Sequence, residues 1–386
     1  MTYEFCVIGL QLVGGAVACQ LSKRTNMIIA FDQDFPPHDR GSSHGKAKIY
    51  RLGTGEGSLY GPYAQRSYHN FRELEAKTGR TILVSTGVLI IGSASENSKI
   101  HGSEDFLGST VSTANELGID YKLFDAKETR RMFPQFNLSG DEIGYFEPGA
   151  GYIKPENCIQ AQLELAARKG VEIHKGEKVL EVVPKPGDGE VTIRSELRTY
   201  SAKKVIITAG PWISGFLPPR YASLFEVHRQ IQCWFDVRKN FDKLKNTPVF
   251  IRALSDDFIY GFPPIDGPNG GMKIASENIE LVDPDRMNTK VSTEEIMALY
   301  HGKIKNFLPD VGSFCTEAST CKYTKTSDRQ FIIDQHPEFE QVFICSADCG
   351  HGAKHSQATG EAVAELALYG KTTLDISPFS FSRFQI

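Results

Sequence analysis

No apolar run in this sequence approaches the ~20 residues that a membrane-spanning helix requires, so no membrane association is expected. The first residues, Met1 to Gly9, carry no basic stretch ahead of an apolar core, and Ser382 to Ile386 match no C-terminal address. A cytoplasmic protein is expected. A basic excess is also missing. The 43 Lys and Arg stand against 47 Asp and Glu, a formal net charge of −4, with no Lys/Arg run to attract nucleic acid. Acidic small molecules remain open to local Arg or Lys. None of the eight cysteines forms a Cys-x-x-Cys pair, and Cys345 and Cys349, four apart, find no second pair at zinc-binding spacing. The expectation is no metal site and free, mostly buried thiols in a reducing compartment. Internal repeats and low-complexity segments are lacking too. What remains, 40% hydrophobic and 23% charged residues over 386 positions, excludes a disordered chain, a collagen-like one and a small stapled scaffold, and suggests two domains.

The chain opens on a pattern that carries chemistry. Phe5-Cys6-Val7-Ile8 is an apolar run that meets Gly9, then Gly14 and Gly15, then the helix-like Ala16 to Leu21. A second β-rich run, Met27 to Phe31, ends at Asp32. Strand, glycine turn, helix, strand, acid is the unit that sets a pyrophosphate on a helix N-terminus and a carboxylate on a ribose. Gly9, Gly14 and Asp32 are therefore candidate cofactor contacts, and the acid favours FAD or NAD over NADP. The glycine spacing is imperfect. Gln11 stands where a middle glycine lets the backbone approach the phosphates, so its side chain should crowd them or push the turn outward. An ordinary βαβ unit with a glycine turn is the competing reading. The polar loop Pro36 to Gly45 breaks the βα alternation expected of an NAD dehydrogenase, and a loop of that length reads as functional.

Further along, Pro155 opens a helix that Gly170 closes. Short strands are expected at Val171–His174, Lys178–Val183 and Val191–Arg194, with Pro184 to Gly189 a hairpin tip. A buried strand runs from Val205 into Gly210, and Trp212 beyond it reads equally as core. From Val227 to Phe262 the sequence turns β-rich and aromatic, and Glu294 to Phe307 reads as helix. The expected fold is α/β (α+β). A Rossmann-like dinucleotide-binding domain takes residues 1–84, 146–224 and 321–386, and a second, antiparallel-sheet substrate domain takes 85–145 and 225–320.

Four segments together resemble the monomeric sarcosine oxidase and N-methyltryptophan oxidase family of FAD enzymes. They are Gly41 to Arg51; Tyr260-Gly261-Phe262-Pro263 leading to Gly271-Met272-Lys273; Cys321 to Thr326 leading to Phe331 to Asp334 and His336-Pro337; and Gly350-His351-Gly352-Ala353-Lys354. The match runs in order along nearly the whole chain. It implies an FAD-dependent oxidase of the C–N bond of a secondary or cyclic amino acid, giving an imine and passing electrons to O2 as hydrogen peroxide. By the same resemblance Cys321 carries the flavin covalently, and Lys273 assists O2 reduction, as a fixed cation stabilises developing charge. Arg51 and Lys354 bind the substrate carboxylate, the one as a bidentate fork, the other as a compact charge. Gly350, His351 and Gly352 bring backbone N–H groups to the flavin. Ser43, His44, Lys48 and Tyr323 fall in the cofactor environment, and Tyr260 and Tyr323 are pocket aromatics or core. The family also implies a monomer with a small-molecule substrate.

Departures from the family pattern bear on the substrate. Lys48 stands where the family usually has Arg, Lys46 where it has an acid, and Glu277 where sarcosine oxidase has an active-site His. An anion at Glu277 should repel a second carboxylate and favour a substrate with an extra amine or hydroxyl, larger than sarcosine. The alternatives are a flavin dehydrogenase or desaturase in a biosynthetic pathway, a flavin-binding protein without catalysis, and an NAD-linked dehydrogenase.

Overall fold

The strand Thr2–Ile8 pairs in parallel with Ile28–Asp32 on one side and with Thr199–Ile207 on the other. The registers Ile8↔Phe31 and Ile8↔Ile207 bring three strand ends level. These strands are nearly continuous apolar runs because both faces of a parallel sheet are covered. In this computed structural model, which describes residues 1–138, 140–185, 189–254 and 257–385, the first sheet has eight strands. Its order is Val179–Pro184, Val191–Ser195, Thr199–Ile207, Thr2–Ile8, Ile28–Asp32, Glu172–Lys175, with Phe339–Ser346 and Ile332–His336 continuing from Thr199–Ile207. Helices Leu12–Leu21, Gly61–Thr78, Pro155–Arg168 and Ser356–Tyr369 pack together over one face around Val7, Val17, Phe71, Ile159 and Val363. The other face buries Cys6, Ile8, Phe31, Ile193 and Ile213.

The second sheet also has eight strands and is antiparallel except where Val249–Leu254 meets Val88–Ser93. Three of its strands, Val88–Ser93, Lys122–Phe124 and Glu142–Glu147, come from this early part of the chain. Aromatic packing under it centres on Phe136, Phe250 and Phe307, with ring centroids 5.0–5.7 Å apart. The helix expected from Glu294 begins at Thr293, capped by Ser292 in a capping box with Glu295. It loosens into a wider turn at Tyr300–Ile304 and ends before Pro309, whose ring disfavours helix in the residue ahead of it. A small three-stranded sheet, Lys48–Tyr50, Gly151–Ile153 and Leu83–Ser85, completes the architecture.

Three expected domain boundaries fall inside strands, the one between 84 and 85 within Leu83–Ser85. Cys315–Thr326 pairs with Phe225–Phe235 along its length, from Phe225↔Thr326 to Phe235↔Cys315, so residue 321 lies within the second sheet. Residue 146 lies within Glu142–Glu147. A continuous β-run carries no mark of where its neighbours change. The hairpin tip expected at Pro184 to Gly189 includes 186–188, outside the described residues. Among the described residues no helix is long and apolar enough to cross a membrane.

Candidate active site

A cavity of about 510 Å³ runs from the ends of the parallel strands to the face of the second sheet, a size that encloses a cofactor or drug-sized ligand. At its first end lie Gly9, Gln11, Gly14 and Asp32. Gly9 has φ 89°, a conformation that glycine adopts without cost. A Cβ on Gly14 would sit 1.7 Å from the Gly9 carbonyl oxygen, so helix and turn approach as closely as backbone permits. Gln11 is the N-cap of Leu12–Leu21 with extended backbone, and both polar atoms of its side chain are buried without a partner. Leaving such groups unpaired costs about 1–3 kcal/mol each, so the turn fits a polar ligand. A pyrophosphate at this helix N-terminus answers that need. The side chain read as an obstacle is thus an available donor. Asp32, 4% exposed, already accepts from the Leu10 and Asp34 N–H groups and contacts His38 Nε2 at 3.0 Å. The loop Pro36 to Gly45 lines the same end through His38, Gly41, Ser42 and Ser43.

Lys273 stands midway, on the strand Met272–Ala275. Nζ donates to the Gly45 and Ala47 carbonyls at 2.7 and 2.9 Å and lies over the Trp234 and Phe262 rings. Burial pushes its pKa well below the lysine range and nearby Lys48 adds to the shift. A negative charge beside it would restore the proton. His44 is held neutral, its pKa pushed down to about 3 by burial and then by Lys48 and Lys273. Cys321 is buried on the second sheet; burial raises its thiol pKa, against the pull of Lys48 and Lys273.

The far end is built from buried charge. Arg51 makes a bidentate pair with Glu56 at 2.9 and 3.0 Å, and Lys354 Nζ donates to the same carboxylate at 2.9 Å. All three side chains are nearly inaccessible. Burial opposes the charge on Glu56, but Arg51 and Lys354 outweigh it and hold the carboxyl well below its usual range. Burial brings Lys354 down to about 8, with Glu56 resisting. Two cations share one anion, leaving a net positive charge. Phe106, Phe258, Tyr260 and Tyr323 wall this end, with the two tyrosine hydroxyls 3.1 Å apart. His351 stacks on Phe331 at 4.9 Å, its nitrogens buried and unpartnered.

Most residues singled out from sequence meet on this wall: Gly9, Gly14, Asp32, Ser43, Lys48, Arg51, Tyr260, Lys273, Tyr323, Gly350, His351, Gly352 and Lys354. Three do not. His44 and Cys321 lie behind it, and so does Glu277. Glu277, expected as an anion bearing on the substrate, is bound to Lys325, with Arg329 Nη1 at 3.7 Å, so its charge is partly balanced. Three functional groups escaped the sequence reading. Glu56 organises Arg51 and Lys354. Asp348 accepts from Ser42 Oγ, Thr324 N and Gly350 N, knotting the loop, the strand and the glycine turn together. His101 enters the wall from the segment after Val88–Ser93. Glu56, five residues beyond Arg51 in the loop that follows it, offered a usable signal; Asp348 and His101 offered none beyond residue type.

The family described as FAD dependent oxidoreductase matches residues 4–366. Monomeric sarcosine oxidase of Streptomyces avermitilis is 34% identical over 383 residues, covering 98% of this chain and 97% of its own. N-methyl-L-tryptophan oxidase of Yersinia pestis is 30% identical over 393 residues, the full length of both. Among solved structures, NikD, an unusual amino acid oxidase essential for nikkomycin biosynthesis, superposes with a TM-score of 0.83 at 21% identity, covering 98% of this chain and 97% of its own. Glycine oxidase from Geobacillus kaustophilus gives 0.79 at 19%, covering 99% of each. The two structures share the fold. Matched from its first strand into the helix Ser356–Tyr369, this chain belongs to the FAD dependent oxidoreductase family.

Proposed function

We propose that this oxidoreductase oxidises the C–N bond of a secondary or cyclic amino acid to an imine and delivers the electrons to O2, releasing hydrogen peroxide. FAD, when bound, accepts the electron pair from the C–N bond and passes it to oxygen. The observation that carries the reading is an aromatic-walled cavity holding a buried cation pair at one end and a buried lysine midway. Gly9, Gln11, Gly14 and Asp32 would hold the dinucleotide, and the Gly350–Gly352 turn its ring system. Arg51 and Lys354 orient the substrate by its carboxylate, since Glu56 leaves the trio one net positive charge and fixes both cations in place. Burial raises the Tyr260 and Tyr323 pKa values, so both hydroxyls stay protonated and act as hydrogen-bonding groups toward the amine rather than as bases. Lys273 presents Nζ to the charge that develops as oxygen is reduced.

Two finer points belong to the same reading. Cys321 carries the flavin as a thioether, as the family motif around it implies; burial leaves its thiol pKa raised, with Lys48 and Lys273 pulling against that shift. The chain works as a monomer, the state named for its sarcosine-oxidising relatives. The deciding experiment offers a panel of N-methyl and cyclic amino acids and measures peroxide per substrate consumed. One peroxide per turnover is expected. Turnover without peroxide moves the protein to the dehydrogenases, and no turnover across the panel ends the reading. Flavin that washes from acid-precipitated protein removes Cys321 from its role.

A further inference from the structure

His101 lies between the strand Val88–Ser93 and the helix Phe106–Glu116, in a turn closed by reciprocal backbone hydrogen bonds between Ile100 and Ser103. Its φ of 50° is uncommon for a residue with a side chain, a cost that local structure must hold in place. The ring is 8% exposed and packs against Phe258 and His351 at 5.8 and 5.7 Å. Its two nitrogens differ. Nδ1 is buried, has no hydrogen-bond partner and lies 3.9 Å from Glu277 Oε2. Among the described residues Nε2 has no hydrogen-bond partner and, unlike Nδ1, is not shut off from the cavity that His101 lines. Burial disfavours the imidazolium, though Glu277 and Glu56 pull the other way. Glu277 is ionised; burial opposes the charge, but His101, Lys325 and Arg329 together keep it below the usual carboxylate range. An anion has no proton to give, so the single proton of a neutral ring favours Nδ1, the nitrogen facing it. Nε2 is then left with its lone pair toward the cavity.

We propose that His101 Nε2 is an acceptor subsite for the substrate side chain, selecting amino acids whose side chain ends in a hydroxyl, amine or ring N–H, with Glu277 the positioning residue that fixes the ring. The proposal rests on the C–N oxidation reading for the substrate's backbone. It also gives Glu277 a role without contact: the residue shapes selectivity through His101.

The test uses holoenzyme and matched N-methyl amino acid pairs that differ in one donor: serine and alanine, tyrosine and phenylalanine, tryptophan and its ring-N-methylated form. In the wild type at least one donor-bearing member is expected to lead its partner about tenfold or more in kcat/KM, the scale of leaving one buried polar group unpaired. His101→Phe should bring the pair within about twofold by slowing the donor-bearing member more than its partner, and His101→Gln, which retains an acceptor, should restore part of the lead. Glu277→Gln should narrow the lead. Equal rates in every wild-type pair, or a lead that survives His101→Phe, overturn the subsite. Dissociation constants of 4-hydroxyphenylacetate and phenylacetate, read from the flavin absorbance, need no turnover. Discrimination there with no oxidation of any pair would overturn the C–N reading and keep the subsite; oxidation without discrimination in rates or binding would do the reverse.

Discussion

The two ends of the cavity are built from different materials. At the Gly9–Gly14 end the contacts belong to backbone, set by a left-handed glycine and a helix pressed against its own turn. At the Arg51–Lys354 end they belong to side chains drawn from distant parts of the chain, with Glu56 and Lys354 separated by 298 residues. The difference teaches where each end tolerates change. A backbone-built end resists any added atom and accepts many side chains, which is why Gln11 fits where a glycine was expected. A charge-built end has room but no tolerance for losing a partner, because an uncompensated buried charge costs about 3–5 kcal/mol.

Substitutions at each end should break or sharpen this contrast. The largest effect is expected from Gly14→Ala. A Cβ held 1.7 Å from a carbonyl must displace backbone, so absorbance near 450 nm per protein should vanish and stability fall by about 3 kcal/mol or more, the upper reach of overpacking. Gln11→Gly should keep its flavin. If the two variants behave alike, the backbone account of this end is wrong. Next comes Lys273→Met. Flavin reoxidation by O2 should slow by about a hundredfold while reduction by substrate changes little, as loss of one fixed charge-stabilising group predicts. Stopped-flow traces with equal losses in both halves would remove Lys273 from oxygen chemistry.

At the charge-built end, Glu56→Gln strands two cations. Thermal unfolding should show a loss of about 3 kcal/mol, the low end for breaking a buried pair. A melting point within error of the wild type would show that water already screens the trio. The smallest effect is on pH. Lys354 titrates near 8, below the ordinary lysine value, so the cation is present below that pH and lost above it. The KM for a carboxylate substrate should rise as pH climbs through 8, and Lys354→Arg should abolish that limb. Since Glu56 holds the Lys354 pKa up, Glu56→Gln should move the limb to lower pH. A flat profile in the wild type would place the carboxylate elsewhere.

Legibility in the sequence follows the same division. Gly9, Gly14 and Asp32 announce themselves because strand, turn and helix are local, and a local pattern is written in consecutive residues. The parallel sheet, the helices over it and the antiparallel second sheet were readable for that reason. Arg51, Lys273, Cys321 and Lys354 came through their motifs as positions, without their partners. Of the partners only Glu56, five residues beyond Arg51, was within reach of the sequence. Glu277 looks like a free anion until the strand Cys315–Thr326 brings Lys325 beside it, and that pairing is a property of sheet register. His101 is a lone histidine in an undistinguished segment, and only burial and the orientation of its two nitrogens give it meaning.

That long strand has a consequence for how such an enzyme diversifies. Along Cys315–Thr326 side chains alternate faces every ~3.4 Å, so Cys321, Tyr323 and Lys325 share one face at regular intervals of roughly 7 Å, like marks on a ruler. Deleting one residue ahead of them would turn all three away together. Residues 98–105, by contrast, hang from no such scale. Evolution, or an engineer, is therefore free to exchange that loop and remake the diet of the enzyme while the ruler keeps its marks in place.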